Sequence, residues 1–188
     1  LQLWGKQLDR APTQPTWFVV DDSATRARLR LQLYHRHCEV FGVLPPPRVL
    51  LVDRGEKRYL LFRFDPASAR PGCVAPALAY VDSPLPNASV PAAFDVRGWA
   101  FKDGAGISRV EVLVDGKPAS EARYGEAMPG VADYWRISTD PSHPRVGFRA
   151  RVDATVVAPG KHWLGLRLHG RDGSIEDWPE QPLRIAPR

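Results

Sequence analysis

The chain is poor in cysteine, methionine and lysine, and it has no long apolar run. Its 188 residues hold two cysteines and one methionine, and its 26 basic residues are 21 arginines and five lysines. No stretch approaches the ~20 apolar residues that cross a bilayer, so nothing reads as a membrane span. The longest apolar runs, such as Val49–Val52, are strand-sized. Cys38 and Cys73 are too few and too far apart for a zinc finger or a CxxC redox pair. The Gly-x-Ser-x-Gly elbow of hydrolases is missing. So are the GxGxxG and Walker phosphate loops, and Gly104-Ala105-Gly106 leads into a strand with no helix behind it. No catalytic constellation, metal site or cofactor is therefore expected.

What is present suits a folded chain. Hydrophobic residues make up 44% and charged residues 25%, enough for a packed core. The net charge of +5 is spread along the chain, and no nucleic-acid partner is expected from it. Abundant Arg, Ala, Pro and Gly suggest a GC-rich bacterial genome. Opening on Leu1 rather than Met, the chain reads as a fragment or a processed product, with any targeting signal upstream.

Four segments follow along the chain. Residues 1–15 read as an approach segment, with a short helix over Leu1–Leu8 ended by Pro12 and Pro15. Residues 16–65 read as β-α-β-β, a small α+β subdomain. Thr16–Val20 is its first strand, and Ser23 is placed as an N-cap with Asp21 and Asp22 beside it. Ala24–Phe41 is helical, with Leu29, Leu33, Tyr34, Cys38, Val40 and Phe41 near one stripe. Gly42 and Pro45–Pro47 stop it. Arg48–Asp53 and Arg58–Asp65 then form a hairpin around residues 54–57. Residues 66–91 carry six prolines and read as a linker with an edge strand at Leu78–Val81. Residues 92–188 alternate with period two at 94–101, 107–114, 147–154 and 161–169, and Asp115-Gly116 marks a tight hairpin. Short strands and regular turns predict an all-β sandwich there.

The run Phe94-Asp95-Val96-Arg97-Gly98-Trp99-Ala100-Phe101, the turn Asp103–Gly106 and Val110–Gly116 carry a resemblance. Together with Tyr124-Gly125, Gly147-Phe148 and Pro159–His162, they resemble bacterial immunoglobulin-like modules over about residues 78–188. Such modules are appended to envelope proteins and to membrane glycosyltransferases, and are usually not catalytic themselves. The Cys…Trp…Cys spacing of antibody domains is missing, so that subtype is not implied. Residues 16–65 match no named family.

On the helix, His35 and His37 point about 200° apart and cannot share a metal, whereas His35 and Glu39 could converge. A polar helix face explains them as well. Asp172–Asp177 could hold Ca²⁺ but lacks EF-hand spacing and reads as a solvated turn. Ser142-His143 lies in a proline-bounded turn, and Asp82, Asp95, Asp103 and Asp153 read as single turn or strand-edge carboxylates. Trp163, on the polar phase of its strand, and Trp178, in an acidic loop, are the ligand-binding candidates, with Arg36 of the helix. Cys38 and Cys73 are two buried thiols or one disulfide. The loop around Cys73 favours a bridge, which requires an oxidising compartment.

The expectation is a non-catalytic, extracytoplasmic interaction or positioning region of a larger bacterial envelope protein. It would be tethered through an upstream membrane region of the same polypeptide, with a glycan or an envelope protein as partner. Two rivals stand beside it. One is the soluble C-terminal region of a membrane-embedded glycosyltransferase, contributing to substrate binding. The other is a carbohydrate-binding module with aligned exposed tryptophans.

Overall fold

A computed structural model describes residues 2–3, 11–21, 27–44, 48–53, 57–69 and 71–187. The elements run β1 (Gln2–Leu3), β2 (Thr16–Asp21), α1 (Ala27–Phe41), β3 (Val43–Leu44), β4 (Arg48–Asp53), β5 (Lys57–Phe64), β6 (Gly72–Cys73) and β7 (Leu78–Ser83). They continue with β8 (Ser89–Val90), β9 (Ala93–Phe101), β10 (Ile107–Val114), β11 (Lys117–Glu126), α2 (Pro129–Tyr134), β12 (Gly147–Asp153), β13 (Gly160–Gly170) and β14 (Ile175–Ile185).

The N-terminal layer is a four-stranded sheet in the order β1-β2-β5-β4, with α1 on one face. In β2 and β5, Phe18, Val20, Leu60, Phe62 and Phe64 alternate inward and are buried. The helix answers with Leu31, Tyr34, His37 and Phe41, spaced three to four residues apart. Ring contacts join the two: Tyr34 to Phe62 at 6.1 Å, and Phe41 to Phe64 at 5.3 Å. The buried stripe thus runs through Leu31 and His37, whereas Leu33 is only half-buried. A histidine in the stripe is what the apolar periodicity hides. Gln2–Leu3 is a strand parallel to β2, not the start of a helix. Residues 4–8, the Ser23 cap, Pro45–Pro47 and the turn at 54–56 lie outside the described residues.

The larger part is an eight-stranded sheet, β7-β9-β12-β11-β10-β13-β14-β8. It curls at β11, whose first half pairs with β10 and whose second half pairs with β12. The two halves of the sheet therefore face each other across one core. Val110, Val112 and Val114 pair directly with Leu168, Leu166 and Leu164, and all six are buried. Phe94, Val96, Phe148, Ala150 and Val152 supply the other side. At Gly98 an added Cβ would meet the Tyr80 carbonyl and the Phe148 ring at 2.8 Å, so a side chain is sterically excluded there.

Three sequence expectations change in this part. A one-turn helix, α2, interrupts the strands after β11. Trp178 lies in β14, not in a loop, because the β13–β14 ladder continues through its prolines. Cys73 lies in the short strand β6, parallel to β3. Leu78–Val81 falls within β7, which does form an edge of the large sheet.

Candidate functional site

The turn between β9 and β10 carries Lys102 and Asp103, both charged and both buried. Backbone bonds from Ala105 and Gly106 to the Lys102 carbonyl shape this turn, with Gly104 and Gly106 at positive φ of 74° and 78°. The two side chains leave in different directions. Lys102 Nζ donates to Glu176 Oε1 of β14 at 2.6 Å. The Glu176 carboxylate also accepts from the Ala77 amide at 3.2 Å. Lys102 is 1% exposed and Glu176 is 4% exposed, so their contact, with Asp172 Oδ2 3.7 Å from Lys102 Nζ, replaces solvation both have lost.

Asp103 points towards α1. His35 Nε2 donates to Asp103 Oδ2 at 2.5 Å, and Ser138 Oγ donates to Asp103 Oδ1 at 2.6 Å. Ser138 Oγ in turn accepts from the Asp140 amide at 3.2 Å and from His143 Nε2 at 3.1 Å. Asp140 holds the turn by accepting from the backbone amides of Lys102 and Ser142, both at 2.6 Å. One polar chain therefore links α1, the β9–β10 turn and the segment after α2.

The chain contains a serine, a histidine and an aspartate, but not in the order hydrolysis requires. In a triad the imidazole sits between the hydroxyl and the carboxylate, taking the proton from one while held by the other. Here the hydroxyl gives its proton to Asp103 directly. His143 Nδ1 is buried with no hydrogen-bond partner among the described residues. The arrangement can hold elements together; the imidazole beside Ser138, that of His143, has no carboxylate among the described residues on its other nitrogen to orient it.

Beside it, a cavity of about 280 Å³ opens between α1 and the β9–β10 turn. Tyr34, His35, Cys38, Cys73, Asp103 and Thr139 are among its walls. That volume is at the small end for ligand pockets. The Cys38–Cys73 disulfide forms one wall, with its Cα atoms 5.9 Å apart. It joins the last turn of α1 to β6, just before the chain enters β7.

Other ionisable groups report their surroundings. His37, between Phe18 and Phe41, is pushed down to about 4 by burial. The Tyr124 phenol is raised, first by burial and then by the Asp140 charge, while its hydroxyl donates to the Ala100 carbonyl at 2.8 Å. His162 is raised by its 2.7 Å contact with Asp115.

The residues singled out from sequence are not gathered in one place. Arg36 is exposed on α1 and pairs with Glu39 at 3.2 Å, so Glu39 does not converge with His35. Trp163 is half-buried, with Lys161 Nζ 4.8 Å from its ring. Its amide binds Asp115, at the opposite end of β10 from the Asp103 turn. Trp178 is buried at 5% exposure. No group of three or more metal-ligating side chains occurs among the described residues. Asp172 instead accepts from the amide and hydroxyl of Ser174 within its own turn. Lys102 and Ser138 went unmarked in the sequence, and Asp103 was marked only as a turn carboxylate, because a lone polar residue in a turn reads as solvated.

No protein-family description matches this sequence, and no curated protein sequence matches it. Among solved structures, the chain is similar to fibronectin(III)-like modules of CbhA from Clostridium thermocellum. That match has 19% identity and a TM-score of 0.37, over 57% of this chain and 45% of the other. An endo-beta-1,4-mannanase from Thermotoga petrophila matches at 11% identity and a TM-score of 0.40, over 60% of this chain and 20% of the enzyme. CopC from Methylosinus trichosporium OB3b matches at 19% identity and a TM-score of 0.31, over 59% of this chain and 96% of CopC. The chain thus spans less than half the length of the first two. With TM-scores this low, none of these likenesses carries an argument about function.

Proposed function

We propose that the chain is a non-catalytic interaction and positioning region of a larger bacterial envelope protein, working outside the cytoplasm. The single observation behind this reading is the Cys38–Cys73 disulfide, set beside the His35–Asp103 contact. Disulfides persist in oxidising compartments. This one ties the helix of the N-terminal layer to the strand that leads into the large sheet. The buried polar chain fixes the same two parts at a second point. A link of this kind holds two surfaces at one relative position, which suits presentation of a partner better than turnover.

The finer description of the fold belongs to the same proposal. Residues 16–65 form an α+β subdomain, and residues 92–188, with the edge strands β7 and β8 of the preceding proline-rich stretch, form an immunoglobulin-like sandwich. The supporting feature is the strand order, with β7-β9-β12 on one side and β10-β13-β14-β8 on the other. The terminal pairing of β8 parallel to β14 fits the same scheme. Among the described residues, no helix is long and apolar enough to cross a membrane.

The reading as part of a membrane-embedded glycosyltransferase is tested by the same experiment. The protein is incubated with activated and lipid-linked sugars, and the products are analysed. The proposal expects no product. Turnover that disappears in an Asp103→Asn or His35→Gln variant of unchanged melting temperature would overturn it.

A further inference from the structure

The outer face of the β7-β9-β12-β11 half carries a pattern that works against its own stability. Arg149 on β12 lies directly opposite Arg97 on β9 and directly opposite Arg123 on β11. All three are exposed on one face. Neighbouring strands are about 4.8 Å apart, so three guanidinium-bearing side chains stand side by side in a row across the sheet. Like charges directly opposite one another destabilise a sheet. Arg149 has Glu126 at 3.5 Å, but no carboxylate among the described residues pairs with Arg97 or Arg123. Compare the next row, where Asp95 faces Arg151 and the two pair at 3.2 Å. The fold neutralises one row and leaves the adjacent row cationic.

On the other side of the arginine row is an aromatic plate. Tyr80 of β7 faces Trp99 of β9, and their rings stack at 6.2 Å. Tyr80 is 46% exposed. Trp99 is wedged against Phe101 at 5.6 Å and Trp135 at 5.9 Å, so the plate is held rigid from below. Opposite Trp99 on β12 is Gly147, where the Met128 side chain and Glu126 lie against the space a side chain would take, so the plate ends there. At the other end, Arg123 also lines a groove of about 860 Å³ with Arg109, Arg145 and Arg171. Arg145 and Arg171 have no ion-pair partner among the described residues.

We infer that this face binds a linear acidic saccharide, running across the strands from Tyr80 over the Arg97–Arg149–Arg123 row to the arginine groove. The inference rests on the non-catalytic binding role proposed above and names its ligand class. An exposed ring plate covers the apolar face of a sugar ring. Guanidinium groups take carboxylate or phosphate oxygens in paired hydrogen bonds. The strand spacing is close to the rise of one pyranose unit, so successive residues of the chain meet successive arginines. A single-stranded nucleic acid fits less well, because its bases need successive stacking platforms. Here Tyr80 and Trp99 form one stacked plate beside the row, the exposed Tyr134 meets Trp135 edge-on rather than as a second platform, and Tyr124 in the groove has its hydroxyl turned inward to Ala100.

The experiment measures binding of hexagalacturonate to the full chain by calorimetry at low and at 0.3 M salt. Neutral maltohexaose, linear polyphosphate and oligo-dT are run beside it. The inference expects galacturonate binding that weakens with salt and no maltohexaose binding. It expects Arg97→Gln/Arg123→Gln to weaken galacturonate by about tenfold or more, and Tyr80→Ala to weaken it independently. Because removing these charges relieves repulsion, the double variant should melt at the same temperature or higher. A double variant that binds as before, or no galacturonate binding at all, overturns the inference. So does polyphosphate or oligo-dT binding as tightly as galacturonate. If hexagalacturonate is bound but cleaved, the non-catalytic reading fails and the binding face stands.

Discussion

The two parts of the molecule are stabilised by different means. The N-terminal layer packs one helix on four strands with aromatic contacts, Phe18, Tyr34, Phe41, Phe62 and Phe64, and closes with a disulfide. The large sheet encloses a Val–Leu core between its own halves and adds the buried Lys102–Glu176 pair. Small layers bury a lower fraction of their surface and lean on cross-links. Larger ones can tolerate the desolvation of a charge pair. The comparison teaches that the disulfide and the Asp103 contacts act at the same seam, where the weaker part meets the stronger one.

The largest effect should come from breaking the charge pair in the large sheet. Lys102→Met takes the buried ammonium away from the buried Glu176 carboxylate, and should cost about 3–5 kcal/mol in denaturant unfolding. The double variant Lys102→Met/Glu176→Leu should recover much of that loss. If the single variant is neutral, the pair is solvated in the protein and the contrast between the two parts fails.

Removing the cross-link comes next. Cys38→Ser/Cys73→Ser opens a loop whose ends are 35 residues apart, which should cost about 3–4 kcal/mol. Hydrogen exchange should accelerate in α1 and β5 while β10 and β13 stay protected. Uniform acceleration in both parts would show that they unfold as one unit and that the disulfide has no local role.

A third change tests the large sheet alone. Asp115 and Gly116 both have positive φ, 51° and 76°, in the β10–β11 turn. Gly116→Val puts a β-branched side chain into that conformation and should cost more than about 1 kcal/mol. An unchanged melting temperature would mean the turn relaxes without strain.

The smallest effect near neutrality belongs to His37. Its folded value of about 4 lies below the 6.5 of the unfolded chain, so the unfolded state binds the extra proton first. The His37 contribution should be flat above pH 6.5 and fall as the pH drops from there towards 4. His37→Phe should flatten that slope. A slope that survives the substitution points to another group.

Much of the large sheet was legible in the sequence. Strands β9, β10, β12 and β13 alternate cleanly because one face of each meets the core, and Asp-Gly marks the β10–β11 turn. Strand β11 was not, since its Lys117–Glu126 run is mostly polar and changes partners midway. Strand β14 was hidden by Pro179 and Pro182, which read as loop residues. The site was less legible still. Burial of Lys102 and Asp103 depends on Glu176, His35 and Ser138, partners that are 74, 68 and 35 positions away. Local pattern carries no trace of such distant contacts. The arginine row depends on register, which a period-2 pattern leaves open.

The central claim is that this chain works outside the cytoplasm with its two parts fixed by one disulfide. Intact mass spectrometry without reductant, on protein recovered from its native cell, tests it most directly. The account predicts a chain about 2 Da lighter than its reduced form, because bridging removes two thiol hydrogens, with Cys38 and Cys73 recovered in one linked peptide. Quantitative labelling of both thiols in that protein before and after denaturation would contradict it.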